Sequence, residues 1–137
     1  MTLAPLGKVL LVEDNEVNRL AGEEVLRTLG YEVHVVMDGA QAVRAARSGT
    51  YTFILMDCLM PEMDGYEATA LIRTEPGPNA LTPVIALTSL TMKGNREKCL
   101  AAGMDEYLSK PLSPAALSEA LRACGLAASS PVAASGG

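Results

Sequence analysis

The chain has 137 residues, 49% apolar and 20% charged, with a net charge of −5. That length suits one domain with one core, and the charged fraction is too low for a disordered chain. The lack of any basic run argues against nucleic-acid binding by this chain. No apolar stretch approaches the ~18 residues of a membrane span and the opening MTLAPLGK has no signal-peptide core, so a soluble, cytoplasmic protein is expected.

In chain order, residues 1–6 read as an N-terminal extension and Lys8–Val12 as a first strand. A helix over 16–29 follows, with Val17, Ala21, Val25 and Leu29 in an i, i+4 stripe and Gly30 as a left-handed cap. Next come a strand at Glu32–Val36, a helix at Gly39–Ser48, and a strand at 52–56. A third helix is expected over 66–73 with Asp64 near its N-cap, then a Pro/Gly-rich loop at 74–82. A strand at 83–87, a helix over 93–102 stopping at Gly103, and a strand at 104–108 complete the alternation. Ser113 caps the fifth helix, with Pro114 in its first turn. The domain is bounded at 7–123, and the Ala/Ser/Gly-rich end, 124–137, reads as a flexible tail or linker.

Continuous apolar runs such as VLLV, FILM and VIAL suit strands buried on both faces. Five β-α units therefore predict an α/β, doubly wound, five-stranded parallel sheet flanked by five helices. In such folds the active crevice lies at the carboxyl ends of the strands. The polar residues there are Glu13, Asp14 and Asn15 after the first strand, Asp57 after the third, Thr88 and Ser89 after the fourth, and Lys110 with Pro111 after the fifth. Singly, each has an ordinary explanation: Asp14 or Asn15 as a helix cap, Lys110 as a solvated lysine. Jointly they describe a site. Clustered carboxylates repel one another and call for a hard divalent cation such as Mg²⁺. A carboxylate is also a nucleophile toward phosphorus, and positive charge from Lys110 and a metal would stabilise the transferring group. The Thr88 hydroxyl could donate to a phosphoryl oxygen.

The strings VLLVEDNEVNRL, MDCLMPEMDGYEA, VIALTS and AAGMDEYLSKP resemble receiver domains of two-component response regulators, and above all those of hybrid sensor histidine kinases and phosphorelays. The resemblance runs from Gly7 to Arg122 and implies the flavodoxin-like receiver fold. It implies Asp57 as phosphoacceptor, Asp14 and Asp57 as direct Mg²⁺ ligands, Glu13 acting through metal-bound water, and the Leu59 carbonyl as a further ligand. It also implies Thr88 as the switch hydroxyl, Tyr107 as the rotating aromatic, Lys110 as the phosphate-pairing lysine, and a cis Lys110–Pro111 bond. The implied partner is a sensor histidine kinase or a histidine phosphotransfer protein, with a kinase domain in the same parent chain as one arrangement. Leu59 and Leu90 depart from the family, which is often polar there, and this bears on how long the phosphate survives.

Other readings fit less well. A dehalogenase-like phosphatase would place a second Asp where Leu59 stands, so a signalling domain rather than an enzyme is expected. A phosphorylation-independent scaffold would have lost a carboxylate or the lysine. A flavin site would need a phosphate cradle where the acidic EDNE stands. His34 reads as an edge or surface residue, Met56, Met60 and Met63 as packing. Cys58, Cys99 and Cys124 read as three reduced thiols, with Cys58 pointing away from Asp57 by strand alternation.

Overall fold

The computed structural model describes residues 7–58, 63–74, 77–88, 95–110 and 112–125. Strands β1 (Lys8–Val12), β2 (Glu32–Val36), β3 (Phe53–Asp57), β4 (Val84–Thr88) and β5 (Glu106–Ser109) alternate with helices α1 (Glu16–Thr28), α2 (Gly39–Ser48), α3 (Gly65–Thr74), α4 (Asn95–Ala102) and α5 (Pro114–Ala123). The strands form one parallel sheet in the order β2-β1-β3-β4-β5. The fold class is therefore the expected one.

Side-chain alternation divides the core in two. Leu10, Val12, Ile54, Met56, Val84 and Ala86 point toward α2, α3 and α4. Val9, Leu11, Phe53, Leu55, Ile85 and Leu87 point toward α1 and α5. The central strands β3 and β4 are buried along their whole length, which explains their unbroken apolar runs.

Three strands are shifted from the expected bounds. β3 and β4 each start and end one residue later, closing at Asp57 and Thr88, because the ladder continues through Asp57 opposite Leu87 and Thr88 opposite Ser109. β5 runs from Glu106 to Ser109 rather than from 104 to 108. Gly103, at φ 101, turns the chain out of α4, and the Asp105 N–H donates to the Val84 carbonyl before pairing begins. Asp57 and Thr88 are thus the last residues of their strands. α1 stops at Thr28 with Leu29 as its cap, and α3 runs Gly65–Thr74, a residue longer at each end than expected. Positions 93–94 of the expected fourth helix lie outside the described residues.

Caps fix where the helices start. Asn15 accepts from the Asn18 N–H, Asp38 from the Gln41 N–H, and Ser113 from the Ala116 N–H. At α3 the Asp64 carboxylate accepts from the Glu67 N–H at 2.9 Å while Glu67 accepts from the Asp64 N–H at 3.4 Å, a reciprocal capping box.

At the opposite end of the sheet from these strand tips, two side chains tie the connections together. The buried Asn79 amide accepts from the Tyr51 N–H and the Thr82 hydroxyl and donates to the carbonyls of Ala46 and Gly49. The Arg73 guanidinium donates to the carbonyls of Gly103, Ala80 and Thr82 and pairs with Asp105 at 2.8 Å. Asp105 in turn accepts from the Val84 N–H at 2.9 Å.

Candidate functional site

The carboxyl ends of β1, β3 and β5 converge. Glu13 follows β1, is 1% exposed, and its backbone N–H donates to Val36. Its Oε2 accepts from the Asn15 N–H at 3.1 Å. Asp57 closes β3 at 2% exposure. Asp14 is exposed, and one oxygen from each of Glu13, Asp14 and Asp57 lies within 4.8 Å of the others. Asn15 takes the capping role, which leaves Asp14 turned to the cluster.

Lys110 reaches in from the end of β5. Its Nζ donates to Asp57 Oδ1 at 2.9 Å and stands 3.0 Å from Glu13 Oε1. Its backbone N–H donates to the Thr88 carbonyl at 2.9 Å, so β4 holds the segment that carries it. Thr88, 2% exposed, ends the strand beside β3. Tyr107 is half-buried against the core under α2, α3 and α4. Leu59, Ser89, Leu90 and Pro111, named from the sequence, lie outside the described residues. The carboxylates and the lysine therefore come together, and Thr88 and Tyr107 sit on the adjoining strands.

The electrostatics are tense. Burial pushes the Asp57 carboxyl up to about 7, against the pull of Lys110 and with the help of Glu13. Burial draws Lys110 down, but its hydrogen bonds to Asp57 and Glu13 outweigh this and leave its pKa raised. Three carboxylates face one ammonium. Glu13 Oε1 is fully buried, with the Lys110 ammonium 3.0 Å away. Three hard oxygen donors so placed, with a single ammonium between them, fit a divalent cation.

The opposite face of β3 carries another group. Cys58 is fully buried, as alternation predicts, and shares its core cluster with Tyr66 of α3 and Cys99 of α4. Burial pushes the Cys58 thiol up to about 12. No local pattern groups the two cysteines, which stand 41 positions apart. Gly65 is a second feature that a sequence pass overlooks. Its N–H donates to the Cys58 carbonyl at 3.1 Å, and a Cβ there would strike the Asp57 carbonyl, so only glycine lets α3 begin this close to β3. The neighbouring DG pair was the available signal. His34 is exposed on the edge strand β2, with Nδ1 2.6 Å from the Tyr51 hydroxyl, and takes no part in the acidic cluster.

Comparison with known proteins agrees with this geometry. Residues 9–122 match the response regulator receiver domain family. Hybrid signal transduction histidine kinase G of Dictyostelium discoideum is 45% identical over 77% of this chain, and sensor protein GacS of Pseudomonas syringae is 39% identical over 90%. The chain spans only 3% and 14% of those two proteins. The receiver domain of a Pseudomonas aeruginosa PAO1 sensor histidine kinase, solved with a magnesium ion coordinated in its active-site cleft, superposes with a TM-score of 0.78. It is 48% identical, over 87% of this chain and 98% of that one. The strand order, the acidic cluster at the strand ends and the extent of the match place this chain in the response regulator receiver domain family.

Proposed function

We propose that the chain is the phosphoacceptor domain of a two-component phosphorelay, in which Asp57 takes a phosphoryl group from a partner's phosphohistidine. The observation that carries this reading is the convergence of Glu13, Asp14 and Asp57 within 4.8 Å, with Lys110 2.9 Å from Asp57. Asp14 and Asp57 would hold Mg²⁺ directly and Glu13 through water, with the Leu59 carbonyl as a further ligand. The ion supplies charge neutralisation for the carboxylates and for the arriving phosphoryl oxygens.

The remaining steps belong to the protein. Asp57 forms the bond to phosphorus while the donor imidazole leaves. The added group brings about −1.5 to −2 charge and three acceptor oxygens. Lys110 then turns from the two carboxylates toward the phosphoryl group, and the Thr88 hydroxyl donates to another of its oxygens. Thr88 and Tyr107 sit on neighbouring strands, so movement of one opens space for the other, and the α4-β5-α5 face changes.

The donor is a sensor histidine kinase or a histidine phosphotransfer protein, and the relatives support a kinase domain in the same parent chain. The domain acts in the cytoplasm as a switch, without substrate turnover. No helix among the described residues is long and apolar enough to cross a membrane. The test is intact-mass measurement after incubation with a small phosphodonor and Mg²⁺. One acid-labile phosphoryl group is expected, absent in Asp57→Ala and absent under chelation. Incorporation that survives either change refutes the assignment.

A further inference from the structure

α2 begins against the segment that follows Asp57. Asp38 caps this helix, and Gly39, its first residue, is buried. Ala is the better helix former, but space decides against it here. A Cβ on Gly39 would lie 2.5 Å from the Met63 carbonyl oxygen, and 2.9 and 3.0 Å from Met63 Cγ and Cβ. Two residues on, Gly65 donates its N–H to the Cys58 carbonyl at 3.1 Å, and a Cβ there would strike the Asp57 carbonyl. The stretch between Asp57 and Gly65 is thus tied to the backbone of β3 at its two ends and braced by α2 at Met63. It includes Leu59, whose carbonyl the function proposed above assigns to Mg²⁺.

We propose that Gly39 is a positioning residue of the metal site: its missing side chain seats the Met63 carbonyl and so fixes the segment that supplies Leu59 to the cation. The inference rests on the phosphoacceptor function proposed above and adds to it a residue from a helix that carries none of the ligands.

The packing decides which part yields to an added methyl group. Five of the ten residues of α2 are buried, Gly39, Ala42, Val43, Ala45 and Ala46, so the helix is firmly seated. α3 is held at its start by the capping box of Asp64 and Glu67. Met63, between the two helices, is only half-buried. Its side chain cannot swing clear, because Cβ is among the atoms met. With Ala at position 39 the Met63 carbonyl has to retreat from 2.5 Å to the 3.4 Å at which ordinary contact begins. That movement passes into the segment behind Asp57, while the substitution alters no carboxylate. Groups that only orient the ligands of a metal change its affinity by roughly 10- to 100-fold when they are replaced.

The experiment titrates Mg²⁺ into the full chain by calorimetry, with wild type beside Gly39→Ala and Val43→Ala, and follows urea denaturation of each in chelator. Val43, about one turn further along α2 and 5% exposed, is the control for helix packing alone. Gly39→Ala should bind Mg²⁺ about tenfold or more weakly, whereas Val43→Ala should lose stability and keep the wild-type affinity. Wild-type affinity in Gly39→Ala overturns the inference. An equal loss of affinity in Val43→Ala also overturns it, because the effect is then general destabilisation. Should Gly39→Ala fail to fold, amide shifts of the wild type decide. On addition of Mg²⁺ the Gly39 and Met63 amides should respond with the same midpoint as Glu13 and Asp57, and stationary Gly39 and Met63 amides overturn the brace. A wild type that binds no Mg²⁺ refutes the metal site itself, which separates failure of the proposed function from failure of the role given to Gly39.

Discussion

Replacing Asp57 with Asn sets two opposing forces against each other. Burial pushes the carboxyl up to about 7, while the Lys110 ammonium, 2.9 Å away, pulls it down. Between about pH 4 and pH 7 the folded protein therefore holds a proton that the unfolded chain has released. Stability falls as pH rises through that window. Below it both states are protonated, and above it the folded state carries the whole cost of a buried, crowded charge. The rise from 3.8 to about 7 corresponds to an upper bound of about 4 kcal/mol at 1.36 kcal/mol per pH unit. Asn has nearly the same shape, keeps an acceptor toward Lys110 and has no charge. Asp57→Asn is thus expected to be about 2–4 kcal/mol more stable than wild type near pH 8 in chelator, and about equal near pH 4. Added Mg²⁺ should narrow the difference by stabilising the wild type. Urea denaturation followed by circular dichroism across this pH range, with and without the metal, measures it. A less stable Asn variant at the upper pH in chelator would mean that the Lys110 ion pair outweighs burial, and the reasoning fails.

Lys110→Met should still be phosphorylated at Asp57, but amide shifts in β5 on beryllofluoride binding should shrink; undiminished shifts remove the lysine from the switch. Thr88→Ala should lose the response at Tyr107 to the same analogue, and shifts identical to wild type refute the route. Arg73→Ala leaves the carbonyls of Gly103, Ala80 and Thr82 and the Asp105 carboxylate without this donor. It should cost about 2–4 kcal/mol in denaturation, and a loss below about 1 kcal/mol counts against the tie. Leu59→Asn with Leu90→Glu should speed phosphate loss about tenfold, a change of about 1.4 kcal/mol in barrier, because polar side chains there orient the attacking water. An unchanged decay rate refutes that effect.

The sheet was legible because β3 and β4 are buried on both faces and read as FILM and VIAL, which no amphipathic helix would show. The acidic cluster was legible for a related reason: parallel topology sends every strand's last residue to one edge, so Glu13, Asp14, Asp57 and Lys110 could be gathered without coordinates. Contacts across the layers were not. Nothing periodic in the chain links Arg73 to three carbonyls that follow it by 7 to 30 positions. Such pairings depend on how far each helix slides along the sheet, which packing decides. The early ends expected for β3 and β4 have a similar cause. Asp is a poor strand former by propensity, yet the ladder carries Asp57 in, and β-branched Thr88 extends β4 in the same way.

The ties made by Asn79 and Arg73 give the molecule a fixed end and a working end. The entries of β3 and β4, the turn before β5 and the last turn of α2 are bolted together by two side chains. A push delivered at Asp57 therefore cannot be relieved by sliding β3 along its neighbours. The direction left open is sideways, across β4 toward β5 and α4. The sheet behaves as a set of cantilevers clamped at one end, and a small chemical change at the tip deflects the edge while the foundation stays still.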